Sequence, residues 1–373
     1  MSGRAAPDCR GRLPIARPYT RPVGFQLPEA PNEARRARIS RWVTLSIVVL
    51  LVALLGYLAW VGYAGSGELV DPPDPSADCR TPESAFGWAY DAINYPRSAD
   101  DELASNADRM RCTGPGASAG TALTASDGIR LAGWYIPAGR SPAAAATVVL
   151  AHGYGGNKSD MLEWAQPLHD DYNLVLFDFR NHGQSGVAPT TVGVTEQRDL
   201  RAVIDWVETA KGATRIGVLG VSMGGAAAAN EAISDDRVDA LVLDSTHATL
   251  ANALSARLER SGFPLSVPGA WSILLGGLLR TGLDMSAVDP IQAVERYGSG
   301  GRPLLVIASG KDDAIGTNDA QDLLMAARDG GASAQLQLCA DAGHAASIDT
   351  CPDDYRSWVL GFLGANLAAS GGS

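Results

Sequence analysis

No repeat period runs through the 373 residues, so a solenoid or propeller of stacked units is not expected. A basic surface on the bulk of the chain is missing too. The first 41 residues hold nine Arg against Asp8, Glu29 and Glu33, a local charge of +6, so the remainder carries −17 within a total of −11. An acidic remainder of that size argues against nucleic acid or anionic lipid headgroups as partners. Charged residues are absent from Trp42 to Gly67. No clear Ala-x-Ala site follows that stretch, which disfavours a cleaved signal peptide, although Arg35-Arg36 would suit a twin-arginine one.

What fills the charge-free stretch is aliphatic. Val43 to Tyr63 is long enough to cross the roughly 30 Å hydrocarbon layer as a helix, with Tyr57, Trp60 and Tyr63 placed for the far interface. The Arg cluster precedes it and Glu68, Asp71 and Asp74 follow it. The positive-inside rule then puts the basic end in the cytoplasm and the rest outside, as a single-pass anchor in the cell membrane. Residues 1–41, rich in Pro and Arg, are expected to be a disordered cytoplasmic tail. Residues 42–66 are expected to be the transmembrane helix, and 67–120, rich in Gly, Pro, Ser and Asp, a stalk and lead-in. The cysteines suit export: Cys9 lies on the inner side, and Cys79, Cys112, Cys339 and Cys351 form an even set outside. Closeness in sequence favours Cys79 with Cys112 and Cys339 with Cys351.

Regular structure is expected from residue 121 to the end. Asp127-Gly128 sits between two alternating segments of Thr121 to Ile136 and signals a hairpin. Short apolar runs at Ala146–Ala151, Asn173–Phe177, Ile216–Val221, Val238–Leu243, Pro303–Ala308 and Ala334–Leu338 read as buried strands. Between them, Leu200, Val203, Ile204 and Val207 repeat at helical spacing within Thr195 to Lys211. A last helix is expected near Asp353 to Leu367. Strands alternating with helices imply a mostly parallel sheet of about eight strands, covered on both faces. Each strand after the hairpin ends in a polar turn, where such sheets gather their working groups.

One of those turns is Gly220-x-Ser222-x-Gly224, leading into an alanine-rich helix. Glycine on both sides of the serine lets strand and helix approach closely, lifts the Ser222 hydroxyl clear of the sheet, and leaves the Met223 N–H at a helix N-terminus facing a developing oxyanion. Such a serine needs a base and a carboxylate to orient it. Among five histidines, His344 falls just past the last strand and before the last helix. His152 and His182 each precede a glycine in a turn, which suits a structural imidazole; His169 sits in a polar helix end and His247 opens the longest insertion. For the carboxylate, Asp313 is favoured, with Asp312 the neighbour able to replace it and Asp244 a third option whose ordinary role is loop hydrogen bonding.

His152-Gly153, Asp178-x-Arg180-x-x-Gly183-x-Ser185, Gly220-x-Ser222-x-Gly224, Gly310-x-x-Asp313 and Gly343-His344 occur in that order. The set resembles the α/β-hydrolase superfamily of serine hydrolases over residues 121–373. That resemblance implies the nucleophile order Ser222, Asp313, His344, and an oxyanion hole made by the N–H groups of Met223 and Tyr154. It departs from the lipase-type His-Gly-Gly-Gly loop by placing Tyr154 third. About 58 residues separate Asp244 from Pro303, far more than an ordinary crossover, so a helical lid is expected over about 246–295. Ser261 to Leu279 contains no charge; touching the membrane fits it, but lining an acyl pocket or packing as the buried face of a cap is favoured. The expected chemistry is acyl transfer from a small-molecule or lipid-like acyl substrate to water. The same residues would serve an acyltransferase acting on a sugar or lipid hydroxyl, and a non-catalytic binding domain is the remaining reading. No cofactor is implied, because Ser, His and Asp perform this chemistry unaided and no metal-ligand spacing occurs.

Overall fold

The computed structural model describes residues 33–73, 80–93, 123–315 and 317–368. The expected Cys79–Cys112 pair and residues 1–32 of the tail expected over 1–41 lie outside the described residues, whereas residues 33–41, expected in that disordered tail, begin the first helix. The elements, in chain order, are α1 (Glu33–Val70), α2 (Pro82–Phe86), β1 (Asp91–Ile93), β2 (Gly133–Ile136), β3 (Thr147–Ala151), α3 (Leu162–Ala165), β4 (Asn173–Phe177), α4 (Glu196–Lys211), β5 (Ile216–Val221) and α5 (Met223–Ala232). They continue with β6 (Val238–Asp244), α6 (Leu250–Arg260), α7 (Ser266–Thr281), a 3₁₀ turn at Met285–Ala287, α8 (Pro290–Gly298), β7 (Pro303–Ser309), α9 (Thr317–Asp329), β8 (Ser333–Cys339), α10 (Ser347–Thr350) and α11 (Pro352–Asn366). Helix α1 is long and apolar enough to span a membrane.

Eight strands form one sheet in the order β1-β2-β4-β3-β5-β6-β7-β8. From β4 to β8 every neighbouring pair is parallel, and β1 and β2 join antiparallel at one edge. Strands β3 to β7 are buried on both faces, which explains why they read as apolar runs and not as alternations. Along β4, Val175 and Phe177 enter one core while Leu174 and Leu176 enter the other. Helix α4 buries Leu200, Val203, Ile204 and Val207 against the first of these cores. Helix α11 buries Tyr355, Val359, Phe362 and Leu363 in the second.

Two expectations change at the antiparallel edge. The hairpin around Asp127-Gly128 amounts to a turn and one isolated bridge, Thr124 with Arg130. The segment after it, β2, pairs instead with β4 and β1, because apolar Trp134 and Ile136 gain a full core by joining the sheet. Strand β1 itself comes from residues expected in the lead-in. Between β6 and β7 the insertion forms α6, α7, the 3₁₀ turn and α8, a helical cap in the place expected for a lid.

Candidate active site

Strand β5 lies in the middle of the sheet, and its C-terminal end turns sharply into α5 through Ser222. The serine backbone is held at φ 53° and ψ −114°, a conformation sparsely populated by residues with a side chain and sustained only by over-determined surroundings. Those surroundings admit no side chains at the flanking positions. A Cβ on Gly220 would stand 2.5 Å from the Gly224 carbonyl oxygen. A Cβ on Gly224 would run into the Ala151 carbonyl oxygen, and one on Gly225 into the Thr246 hydroxyl. The Ser222 N–H donates to the Asp244 carbonyl oxygen at 2.9 Å, which ties the turn to the next strand.

The Ser222 hydroxyl lies 3.0 Å from His344 Nε2. On the other side of the ring, His344 Nδ1 lies 2.8 Å from Asp312 Oδ2. The Asp312 side chain is 4% exposed and that of His344 26%, so the carboxylate is shut in and the imidazole reachable. The sequence favours Asp313, and the structure places its neighbour against the histidine instead. The reason is the turn after β7: Asp312 Oδ1 accepts the N–H groups of Ala314 and Ile315 at 2.8 and 2.6 Å, which fixes the carboxylate inward and leaves Asp313 exposed. Asp244, the third option, is fully buried and accepts from Trp164 Nε1, Tyr355 OH and Ser245 Oγ at 2.9 to 3.0 Å. Burial pushes its carboxyl pKa up, and these three donors oppose that. Asp244 holds the sheet end and does not reach His344.

Sequence reasoning missed a row of hydroxyls under the histidine. Ser245 Oγ accepts the Ala345 N–H at 3.1 Å and lies 3.2 Å from Ser309 Oγ, which is 2.9 Å from Ser347 Oγ. The row joins the ends of β6 and β7 to the loop that carries His344. The signal was present in the sequence as a serine at the end of each of those strands, but nothing in it showed that they meet.

The loop after β3 runs beside the nucleophile: a Cβ on Gly153 would lie 3.4 Å from Ser222 Cβ. Gly153, the residue before Tyr154, thus lies against Ser222, and Met223 follows Ser222 at the first position of α5. Two buried imidazoles pin the loop. His152 Nδ1 donates to the Gly153 carbonyl oxygen at 2.7 Å, and its Nε2 accepts the Phe179 N–H at 3.0 Å. His182 Nδ1 donates to the Arg180 carbonyl oxygen at 2.8 Å, and its Nε2 accepts the Gly155 N–H at 3.1 Å. The tautomers follow from these partners. Burial pushes the His152 pKa down, which keeps that ring neutral and able to accept. Both histidines are therefore structural, as their turns suggest.

The Asp178 motif is the second support for this loop. Asp178 is fully buried, and its carboxylate takes the backbone N–H of Lys158 and of Gln184 at 2.7 and 2.9 Å together with the Lys158 ammonium. Gly183 sits at φ +48°, and a Cβ there would collide with that carboxylate, which accounts for the glycine. Arg180 donates to Asp199 and to Asp127 at 2.6 to 3.1 Å, locking the turn onto α4. Ser185 Oγ donates to the Asp178 carbonyl oxygen at 2.6 Å and accepts the Ala132 N–H at 2.9 Å. Among the described residues no cluster of three or more His, Cys, Asp or Glu has the arrangement of a metal site.

A disulfide joins Cys339, at the end of β8, to Cys351, at the start of α11, with Cα atoms 6.2 Å apart. His344 lies in the loop it closes, and this is one of the two pairings expected.

A parallel sheet with an antiparallel edge, a helical insertion after β6 and a serine on a strand-to-helix elbow define the α/β-hydrolase fold, and this chain has that fold. The family model described as alpha/beta hydrolase fold matches residues 146–286. The chain is similar to protein YfhR of Escherichia coli K12, 28% identical over 288 residues that cover 74% of this chain and 92% of that protein. It is also similar to protein Rv2307c of Mycobacterium tuberculosis, 31% identical over 207 residues, 54% of this chain and 64% of the relative. Among solved structures, the esterase Pf2001 of Pyrococcus furiosus superposes with a TM-score of 0.60 at 22% identity, over 80% of this chain and 99% of that one.

Proposed function

We propose that this protein is a serine hydrolase that cleaves an acyl bond, an ester in the first instance, with Ser222 as nucleophile, His344 as general base and acid, and Asp312 as the group that orients the histidine. The observation that carries the reading is the continuous line from Ser222 Oγ through His344 to Asp312, with separations of 3.0 and 2.8 Å. In the proposed reaction Ser222 Oγ attacks the carbonyl carbon while its proton passes to Nε2. Asp312 holds the proton on Nδ1 and stabilises the imidazolium. The N–H groups of Met223 and Tyr154 take the negative charge that forms on the carbonyl oxygen. The C–O bond to the leaving alcohol then breaks as Nε2 returns the proton to it, and water repeats the sequence on the acyl-enzyme, releasing a carboxylic acid and free Ser222. An ester is preferred because its alcohol leaves more readily than an amine.

The length and apolarity of α1 support a single-pass anchor, and the Arg cluster before it supports a cytoplasmic N-terminal side with the hydrolase outside. The Cys339–Cys351 disulfide fits an oxidising compartment. The chemistry is tested by hydrolysis of p-nitrophenyl esters of increasing chain length by the purified chain, with fluorophosphonate labelling as a second readout. Ser222→Ala should lower kcat by three orders of magnitude or more and abolish labelling. Turnover within tenfold of the parent would remove Ser222 from the mechanism.

A further inference from the structure

Helix α7 of the cap is apolar on both of its sides. Its inner side buries Gly269, Ala270, Ile273, Leu274 and Gly277. Its outer side exposes Val267, Trp271, Leu275 and Leu279, spaced four residues apart and 54 to 78% accessible. No charge occurs from Ser261 to Leu279. A cap helix that faced water would carry polar residues on that outer side. The preceding helix α6 does so, with Arg257, Glu259 and Arg260 in its last turns.

The neighbour of α7 identifies what covers this face. Helix α7 crosses the C-terminal part of α1 with the two backbones nearly touching: a Cβ on Gly62 would stand 2.5 Å from the Ser272 carbonyl oxygen, and one on Gly276 2.5 Å from the Gly62 carbonyl oxygen. A Cβ on Gly65 would lie 2.6 Å from Ile273. Contact through small residues is how helices associate inside lipid, where apolar side chains gain nothing by leaving the solvent. At the end of α7, Arg280 turns its guanidinium back to α1. It donates to Ser66 Oγ and to the Tyr63 carbonyl oxygen, each at 2.8 Å, and lies 4.5 Å from the Tyr63 ring centre. A basic residue satisfied on the partner helix beside exposed Trp60 and Tyr63 marks a membrane–water boundary.

We propose that the outer face of α7 lies in the bilayer beside the C-terminal part of α1, so that the cap is a membrane-inserted lid and the acyl substrate of Ser222 enters from the lipid phase. Two features connect the lid to the site. Tyr154, which follows the Gly153 that lies against Ser222, donates its hydroxyl to the Glu68 carbonyl oxygen of α1, and α1 packs against the lid helix. The substrate class is then an ester of a membrane-dissolved amphiphile, a conclusion that rests on the proposed hydrolysis. The insertion of the lid does not rest on it.

The test uses the full chain reconstituted in phosphatidylcholine vesicles with brominated acyl chains, which quench only tryptophans in contact with them. Trp271→Phe should remove a quenched component of at least half the Trp271 emission, and an unquenched Trp271 overturns the insertion. Disulfide-linked dimers of Leu275→Cys forming in place of quenching overturn it too, because the face then covers a second copy. Leu275→Glu with Leu279→Glu should lower hydrolysis of a long-chain ester dissolved in the vesicles about tenfold or more, and leave a water-soluble p-nitrophenyl ester within twofold. Equal loss on both esters, or no loss on either, overturns the lipid-phase route. A parent chain inactive on every ester, with Trp271 quenched, retains the inserted lid and refutes the hydrolase reading alone.

Discussion

Asp312 and Asp313 are adjacent and chemically identical, and only the turn after β7 distinguishes them. Asp312 gives one oxygen to two backbone N–H groups and the other to His344, whereas Asp313 faces solvent. Asp312→Asn should lower kcat by about 10⁴, the size of effect expected when the orienting carboxylate is lost and the wrong tautomer forms. Asp313→Asn should stay within threefold, and the reverse ranking in esterase assays would restore the sequence's choice. The one-residue offset was not legible, because both residues lie at the strand end and turn dihedrals decide which points inward. His344 was legible, as a Gly-His just past the last strand. A second histidine near it is of another kind. His247 is buried, and its Nε2 has no hydrogen-bond partner among the described residues. Burial, with the neighbouring His344 adding to it, pushes its pKa down to about 4. An unfolded histidine titrates near pKa ~6.5, so between these values the unfolded chain binds a proton that the folded chain refuses. Stability on this account falls as pH is lowered from about 6.5 toward 4, by about 1.4 kcal/mol per unit. His247→Phe should remove that slope: thermal midpoints of parent and variant should converge at low pH and diverge toward neutrality in the parent's favour. Parallel curves would show that His247 is protonated without cost.

Elements differ in how plainly their sequences announce them, for physical reasons. The elbow was readable because Gly220, Gly224 and Gly225 each stand where a Cβ would meet backbone or the Thr246 hydroxyl, so the chemistry of the turn restricts the residues. Strands β3 to β6 were readable because burial on both faces demands continuous apolar runs. Strand β1 was not: three residues beginning with an exposed aspartate carry no pattern, and pairing with β2 alone makes them a strand. The hydroxyl row of Ser245, Ser309 and Ser347 was hidden because its members are far apart in sequence and meet only in the folded sheet. The loop from β8 to α11 combines a legible base with a legible crosslink. Closing a loop with a sequence separation of 12 restricts the unfolded chain by about 3 kcal/mol. Cys351→Ala should therefore lower stability by roughly that amount, and should reduce kcat because His344 loses one end of its anchorage. In intact cells, alkylation without reduction should leave Cys339 and Cys351 unmodified, and modification of both would place the domain in a reducing compartment.

For the whole molecule, the compact hydrolase unit begins inside α1: residues from Leu55 onward belong to it. The C-terminal part of the helix is thus structural as well as a candidate anchor. Val61 and Leu69 are 5% and 8% exposed, and Ser66 is fully buried. The Val70 carbonyl oxygen accepts the Thr190 N–H at 2.8 Å and Asn181 Nδ2 at 3.1 Å. A chain that starts at Leu55 keeps all of these contacts, and one that starts at Pro72 keeps none. The two buried aliphatic side chains alone contribute about 3 to 6 kcal/mol when fully withdrawn from water, and Arg280 and Asn181 lose acceptors as well. The shorter fragment should melt about 5 to 10 °C below the longer one in the same detergent, and its esterase activity should fall as the lid loses the helix on which it rests. Melting points within 2 °C of each other, with equal turnover, would reduce α1 to a tether. A large gap would make the anchor a part of the enzyme, so that release from the membrane by cleavage after Val70 inactivates it.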